Sequence, residues 1–265
     1  MGSVSLFLRR YVLVIFWLVL LMHCLFQHFK MPYVAASKPL LVPLLLTFLL
    51  LNDNNIGRPS GKFVFYVGLF LALFGDVLLI SVSDTFFLSG MIIFMIMNIC
   101  YSISFFKFHR LEKRTMVPVT LCTGLVCILC YWMVDFLGDS MGDYKIPIIA
   151  YMLTVSLMTV AAVNVAGNPY YRQEAFHWFI PGAFIFMIEN VLVGVNKFLY
   201  HDKDLFIIVM LTYGMAQYCF VKGIEHAYLR TEGVSNKEQG MSNTEGTEAL
   251  ELKSTQEIQS RISNR

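Results

Sequence analysis

With 265 residues, 57% of them hydrophobic and only 14% charged, and a mean hydropathy of +0.63, the chain is far too apolar for a soluble domain of its size and reads as an integral membrane protein. The net charge of +2 gives no ground for a nucleic-acid partner, because the basic residues sit between apolar runs, where topology signals belong. The cysteines lie in or at the edges of apolar runs, and the histidines are scattered over span ends and loops without ligand spacing, so no disulfide, metal or cofactor is expected.

Arg9 and Arg10 precede a long apolar run with no small-residue cleavage site after it, so this run is expected to stay as a first span. At about 20 apolar residues per crossing, eight spans are expected: Tyr11–Phe29, Val34–Leu51, Lys62–Val82, Phe86–Phe106, Met116–Val134, Ile146–Ala166, Ala175–Asn196 and Leu205–Gly223. The expected fold class is all-α, a polytopic membrane bundle of about eight transmembrane helices. Turn-forming clusters separate the spans at Asn52–Pro59, Gly138–Gly142 and Gly167–Pro169. Pro39 and Pro43 should kink the second span. The C-x-x-C of Cys127 and Cys130 sits among Leu, Val and Ile and reads as a pair of small packing residues.

Arg9, Arg10, Arg58, Lys62, Lys107, Arg110, Lys113, Arg114, Arg172, Lys222 and Arg230 fall on one side of these spans, against Lys30, Lys145, Lys197 and Lys203 on the other. Both termini are therefore expected in the cytoplasm, with the endoplasmic reticulum or another endomembrane as the location. Past about residue 230 the composition turns to Ser, Asn, Glu, Gln, Thr and Lys. The domain organisation expected is a membrane domain over 1–228 and a disordered polar cytoplasmic tail over 229–265.

The stretch GLFLALFGDVLLISV, Gly68–Val82, places Asp76 in the middle of the third span. A mid-helix aspartate costs roughly 2.5–3.5 kcal/mol to insert, so it is kept where it faces a bundle interior, a polar cavity or a partner. Gly68-x7-Asp76-Val77-Leu78 has a counterpart in Gly182-x7-Asn190-Val191-Leu192, which suggests a parallel four-plus-four repeat about an axis along the membrane normal. A polar layer at that depth takes in Lys38, Asp76, Asn98, Tyr101, Glu189, Asn190, Asn196, Tyr213 and Gln217. Interhelical hydrogen bonding alone accounts for Asn98, Asn164 and Gln217, but not for two acidic groups. In an undistorted helix Glu189 is turned about 100° from the Asn190 face, towards a neighbouring helix.

SKPLLVPLLL at Ser37, GLFLALFGDVLL at Gly68, F-x3-N-x2-Y at Phe94, GAFIFMIENVLVGVNKF at Gly182 and MLTYGMAQ at Met210 together resemble the YhhN-like lysoplasmalogenase family over roughly the first 225 residues. The resemblance implies a multi-span enzyme that hydrolyses the vinyl-ether bond of lysoplasmalogens to a fatty aldehyde and glycerophosphoethanolamine or glycerophosphocholine. It implies two intramembrane aspartates, of which Asp76 matches the one in the G-D motif. The family has Ser-Asp where this chain has Glu189-Asn190, and a histidine where it has Asn98; Lys38, Asp76, Tyr101, Asn196, Tyr213 and Gln217 match. The catalytic set implied is Asp76 as acid or charge stabiliser, Glu189 as substitute partner and Asn190 orienting water. Lys38 and Tyr213 are expected to position the head group, in a substrate-binding set with Asn98, Tyr101, Asn196 and Gln217. The partners expected are a lysophospholipid (lysoplasmalogen) substrate, membrane lipid and, as an option, a second copy in a homodimer. Two other classes compete: a catalytically silent protein that binds a lysolipid in the same cavity, and a small-solute transporter.

Overall fold

A computed structural model describes residues 2–51, 60–81, 83–202 and 204–230. Among these residues there are eight helices and no strand: α1 (Gly2–His28), α2 (Val34–Leu50), α3 (Ser60–Leu78), α4 (Asp84–Phe108), α5 (Met116–Leu137), α6 (Lys145–Val165), α7 (Arg172–Tyr200) and α8 (Leu205–Arg230). The chain is a membrane helical bundle. Six stretches are long and apolar enough to cross a membrane; Met116–Val165 holds both α5 and α6, and α2 is a shorter apolar helix. Length and apolarity therefore do not by themselves establish the expected eight crossings. The chain divides into two units, Met1–Glu225 and His226–Arg265. The connector at 52–59, Val82 and the polar tail from 231 onward lie outside the described residues.

Local chemistry sets the breaks. Pro39 and Pro43 have no amide hydrogen to give, and α2 tightens into a 3-10 turn at Lys38–Leu40 before resuming at Leu41. Between α5 and α6 a 3-10 connection, Gly138–Tyr144, turns on two glycines with φ of +49°. That conformation is open to glycine and strained for other residues. Helix α7 carries a π-helical turn near each end, Ala175–Phe179 and Asn196–Tyr200.

Helix α8 lies at the centre of the bundle, where Tyr213, Ala216, Gln217, Phe220 and Ile224 are buried. It meets α1 where Gly214 faces Leu20 and where Tyr218 stacks on Phe16 at 6.4 Å. It meets α7 where Gly182 lies against Cys219 and Phe220, and where Gly223 lies against Phe179. Among α1 to α7, helices α3 and α4 pack along one another most extensively, followed by α4 and α6. Gly68 lies under the Tyr101 ring and Gly75 under Phe94, so the α3 backbone approaches α4 closely.

The repeat read in the third and seventh spans extends into the helices they pack on. Phe94-x3-Asn98-x2-Tyr101 in α4 has the spacing of Tyr213-x3-Gln217-x2-Phe220 in α8. Gly68 packs on Tyr101 as its counterpart Gly182 packs on Phe220. The equivalent residues also touch each other, Phe94 to Tyr213 at 6.3 Å and Tyr101 to Phe220 at 5.5 Å. Contacts between equivalent positions are what a two-fold axis between two parallel helices produces.

A single added methyl tests this close packing. At Gly68 a Cβ would stand 2.8 Å from the Tyr101 ring, whereas at Gly124 nothing lies within 4 Å. Gly68→Ala is expected to lower stability by about 1–3 kcal/mol, and Gly124→Ala to leave thermal unfolding of the purified protein unchanged.

Candidate functional site

The site begins with the aspartate. Asp76 follows Gly75, the glycine that lets α4 close over α3, and is 1% exposed. Its Oδ2 accepts a hydrogen bond from the Tyr213 hydroxyl of α8 at 2.8 Å. Its Oδ1 lies 3.6 Å from Lys38 Nζ, at the break in α2. Both carboxylate oxygens are thus engaged, by two helices from distant parts of the chain, α2 and α8. A buried carboxylate needs such partners, since lipid offers none. Lys38 and Tyr213, expected to hold a head group, both bind Asp76.

The break in α2 is itself braced. The Ser37 hydroxyl lies 2.7 Å from His23 Nδ1 of α1 and donates to the carbonyls of Tyr33 and Val34 at 3.1 Å. His23 and Ser37 are both buried, so the residue before Lys38 is pinned to α1. Sequence reading passed over this pair, because one histidine and one serine fourteen residues apart carry no motif.

Asn190 accepts a hydrogen bond from the Tyr151 hydroxyl of α6 at 2.6 Å and donates to the Phe186 carbonyl at 2.7 Å. Tyr151 was not singled out from sequence. The repeat is the signal that finds it: Tyr151 stands near the start of α6 and meets the α7 residue, as Lys38 near the start of α2 meets Asp76.

Glu189 departs from the sequence expectation. It does not turn away to another helix; it lines the same cavity as Asp76, Lys38, Asn190 and Tyr213. It interacts electrostatically with Lys38 and Asp76. Adjacent helix positions stand about 100° apart, and the cavity takes both Glu189 and Asn190 on its wall. Glu189 is 7% exposed, and among the described residues it makes no hydrogen bond or ion pair.

The cavity has a volume of about 460 Å³, within the usual range for small-molecule sites. Leu129, Met133, Met152 and Val155 of α5 and α6 make much of its wall apolar, and the wall extends to the end of α7 at Asn196 and Lys197. Asn196 is buried there, its Oδ1 accepting from the Asp202 amide at 2.7 Å. Asn98, Tyr101 and Gln217 stand elsewhere, packed between α4 and α8 outside the cavity wall. The Tyr101 hydroxyl donates to Gln217 Oε1 at 2.9 Å, and Gln217 Nε2 lies 3.8 Å from Met97 Sδ. Asn98 lies beside the Tyr151 hydroxyl without meeting hydrogen-bond geometry. Among the described residues, no three His, Cys, Asp or Glu side chains converge to hold a metal ion.

Chemically the wall offers one carboxylate bound to an ammonium and a phenol, and a second carboxyl with no ion pair. Both face one largely apolar space, where electrostatic interactions are strong.

The YhhN family pattern matches residues 33–224. Human lysoplasmalogenase TMEM86A is 26% identical over 180 residues, covering 66% of this chain and 72% of that protein. Bovine lysoplasmalogenase TMEM86A is 25% identical over 184 residues, with the same coverage of each. No solved structure matches the chain. With the family pattern running through most of the bundle, this integral membrane protein belongs to the YhhN family.

Proposed function

We propose that the protein is a lysoplasmalogenase-like membrane hydrolase, which cleaves the vinyl-ether bond of a lysoplasmalogen to a fatty aldehyde and a glycerophosphoethanolamine or glycerophosphocholine. The observation that carries this reading is the presence of two carboxyl side chains on the wall of one cavity, Asp76 ion-paired with Lys38 and Glu189 without an ion pair among the described residues. The names of the human and bovine relatives support the reaction class.

Vinyl-ether hydrolysis starts when an acid protonates the alkene carbon remote from oxygen. The remaining positive charge is shared between the adjacent carbon and the ether oxygen. Water adds to that carbon and gives up a proton, and the resulting hemiacetal breaks its bond to the glycerol oxygen. The products are the aldehyde and the glycerol hydroxyl. This is the division of labour of a glycosidase pair, one proton donor and one charge-stabilising carboxylate. Glu189, with no ion pair of its own, is assigned the proton donation. Asp76, held by Lys38 and Tyr213, is assigned the stabilisation of the cation. Asn190 cannot exchange a proton, and its amide, fixed by Tyr151, is assigned the orientation of water. The membrane is proposed to be the endoplasmic reticulum or another endomembrane, with both termini cytoplasmic as the distribution of basic residues directs.

A second reading has one observation in its favour: an amide, Asn190, stands where the family has an aspartate. It is a protein that binds a lysolipid in this cavity without cleaving it.

Fatty aldehyde release from lysoplasmenyl lipid by the purified protein separates the two. Turnover by the wild type is expected, with a fall of about 100-fold or more in Asp76→Asn and in Glu189→Gln. An inert wild type beside an active Asn190→Asp would establish the silent reading instead. The knot at Asp76 has its own test in stability. Lys38→Met leaves a buried carboxylate without its cation, and is expected to cost about 3–5 kcal/mol in thermal or denaturant unfolding. Lys38→Met combined with Asp76→Asn should recover much of that loss while staying inactive.

A further inference from the structure

The cavity continues past the carboxylate layer to the end of α7, where Lys197 and Phe198 line it opposite Phe87 at the start of α4. Lys197 Nζ stands 3.5 Å from Asp84 Oδ1, with the two side chains 33% and 73% exposed. The same ammonium lies 4.8 Å from the centroid of the Phe87 ring. Tyr144 closes the aromatic group, 5.9 Å from Phe87 and 5.8 Å from Phe198. The cavity wall thus ends at a cation, Lys197, and at the Phe87 ring, with the exposed Asp84 carboxylate beside that cation. Exposed pairs of this kind add little to stability, and neither charge takes part in the proposed bond cleavage. Lys38, the other cation on the wall, is already bound to Asp76.

A zwitterionic head group carries an anionic phosphodiester and an ammonium a few atoms apart, which is the charge-reversed image of this pair. We propose that Lys197 and Asp84 clamp the head group of a zwitterionic lysophospholipid, the phosphate against Lys197 and the ammonium against Asp84 and the Phe87 ring. This rests on the lysolipid reading of the cavity and adds the head-group subsite to it. The spacing fits. Glu189 and Lys197 are eight residues apart on α7, about 12 Å along the axis. A glycerol phosphate and an extended lysine side chain bridge that distance together. The chain of the lipid then lies against the apolar wall of α5 and α6. An aromatic face attracts quaternary ammonium ions, so the Phe87 ring favours choline over ethanolamine.

The test is equilibrium binding to the full chain in lipid nanodiscs, using saturated 1-alkyl lysolipids that lack the reactive double bond. Three probes share one alkyl chain: lysophosphatidylcholine, lysophosphatidic acid and a monoalkylglycerol without phosphate. Lys197→Gln is expected to weaken both phosphate-bearing probes about fivefold to tenfold, an effect equal to one screened charge-assisted contact. It should leave the monoalkylglycerol unchanged. Asp84→Asn is expected to weaken the choline lipid by a similar factor while leaving lysophosphatidic acid bound as tightly or more tightly. Phe87→Leu, which keeps an apolar side chain there, should weaken the choline lipid while leaving lysophosphatidic acid unchanged. Unchanged binding of the choline lipid in Lys197→Gln and Asp84→Asn, or equal losses for all three probes, overturns the clamp and leaves the proposed hydrolase standing. A wild type that binds none of the probes overturns both.

Discussion

A carboxylate can be kept inside a membrane bundle only where the protein supplies what water would have supplied. Asp76 receives an ammonium on one oxygen and a phenol on the other, and its two donors come from α2 and α8. Removing either partner of a buried pair is far more costly than the pair is stabilising, of order 3–5 kcal/mol. The fixed positions of α2, α3 and α8 follow from this constraint. The break in α2 places Lys38 at the required depth, and the brace between Ser37 and His23 holds that break against α1. Gly75, immediately before the aspartate, lets the Phe94 ring close over the backbone, so that ring and carboxylate stand at the same level.

The second half of the bundle repeats this arrangement without its charge. Asn190 and Tyr151 stand where Asp76 and Lys38 stand in the first half, and a hydroxyl bound to an amide is a neutral pair, cheaper to bury than an ion pair. Across the axis, Tyr213 is a hydrogen-bond donor to Asp76, while its counterpart Phe94 has no hydroxyl to offer Asn190. The halves have therefore diverged together, helix by helix. The second carboxyl on the cavity wall belongs to Glu189, the residue beside Asn190.

Much of this was legible in the sequence, and the exceptions have physical causes. An aspartate in an apolar span announces a partnered site at any resolution of reasoning, and Lys38 was within reach because the same depth argument places it. Glu189 was misdirected because the 100° step from its neighbour does not keep it off the wall of a cavity that takes both residues. Asn98, Tyr101 and Gln217 share the depth of the site but not its cavity. Helices α4 and α8 are apolar all round, so the sequence shows which residues are polar without showing which way they face. Tyr151 was invisible for the opposite reason: tyrosine is common in membrane helices, and only the repeat gives this one a counterpart. The helix ends moved by a few residues, as with the third span, expected from Lys62 and found from Ser60.

The shape of the cavity links these parts. Leu, Met and Val of α5 and α6 make much of its wall apolar, charged and aromatic side chains join it at the end of α7, and both carboxyls stand on it. On the proposed reading, an amphiphile in such a space turns its head to the charged end and its chain to the apolar wall. The bond that joins a lipid's chain to its glycerol is the boundary between those two halves of the molecule. A cavity that sorts head from tail therefore brings that bond to its own polar–apolar boundary, where Asp76 and Glu189 lie. On this reading, the position of the acids along the bundle selects the reacting bond before any proton moves, and the chain-specific chemistry is left to the few ångströms between the two carboxyl groups.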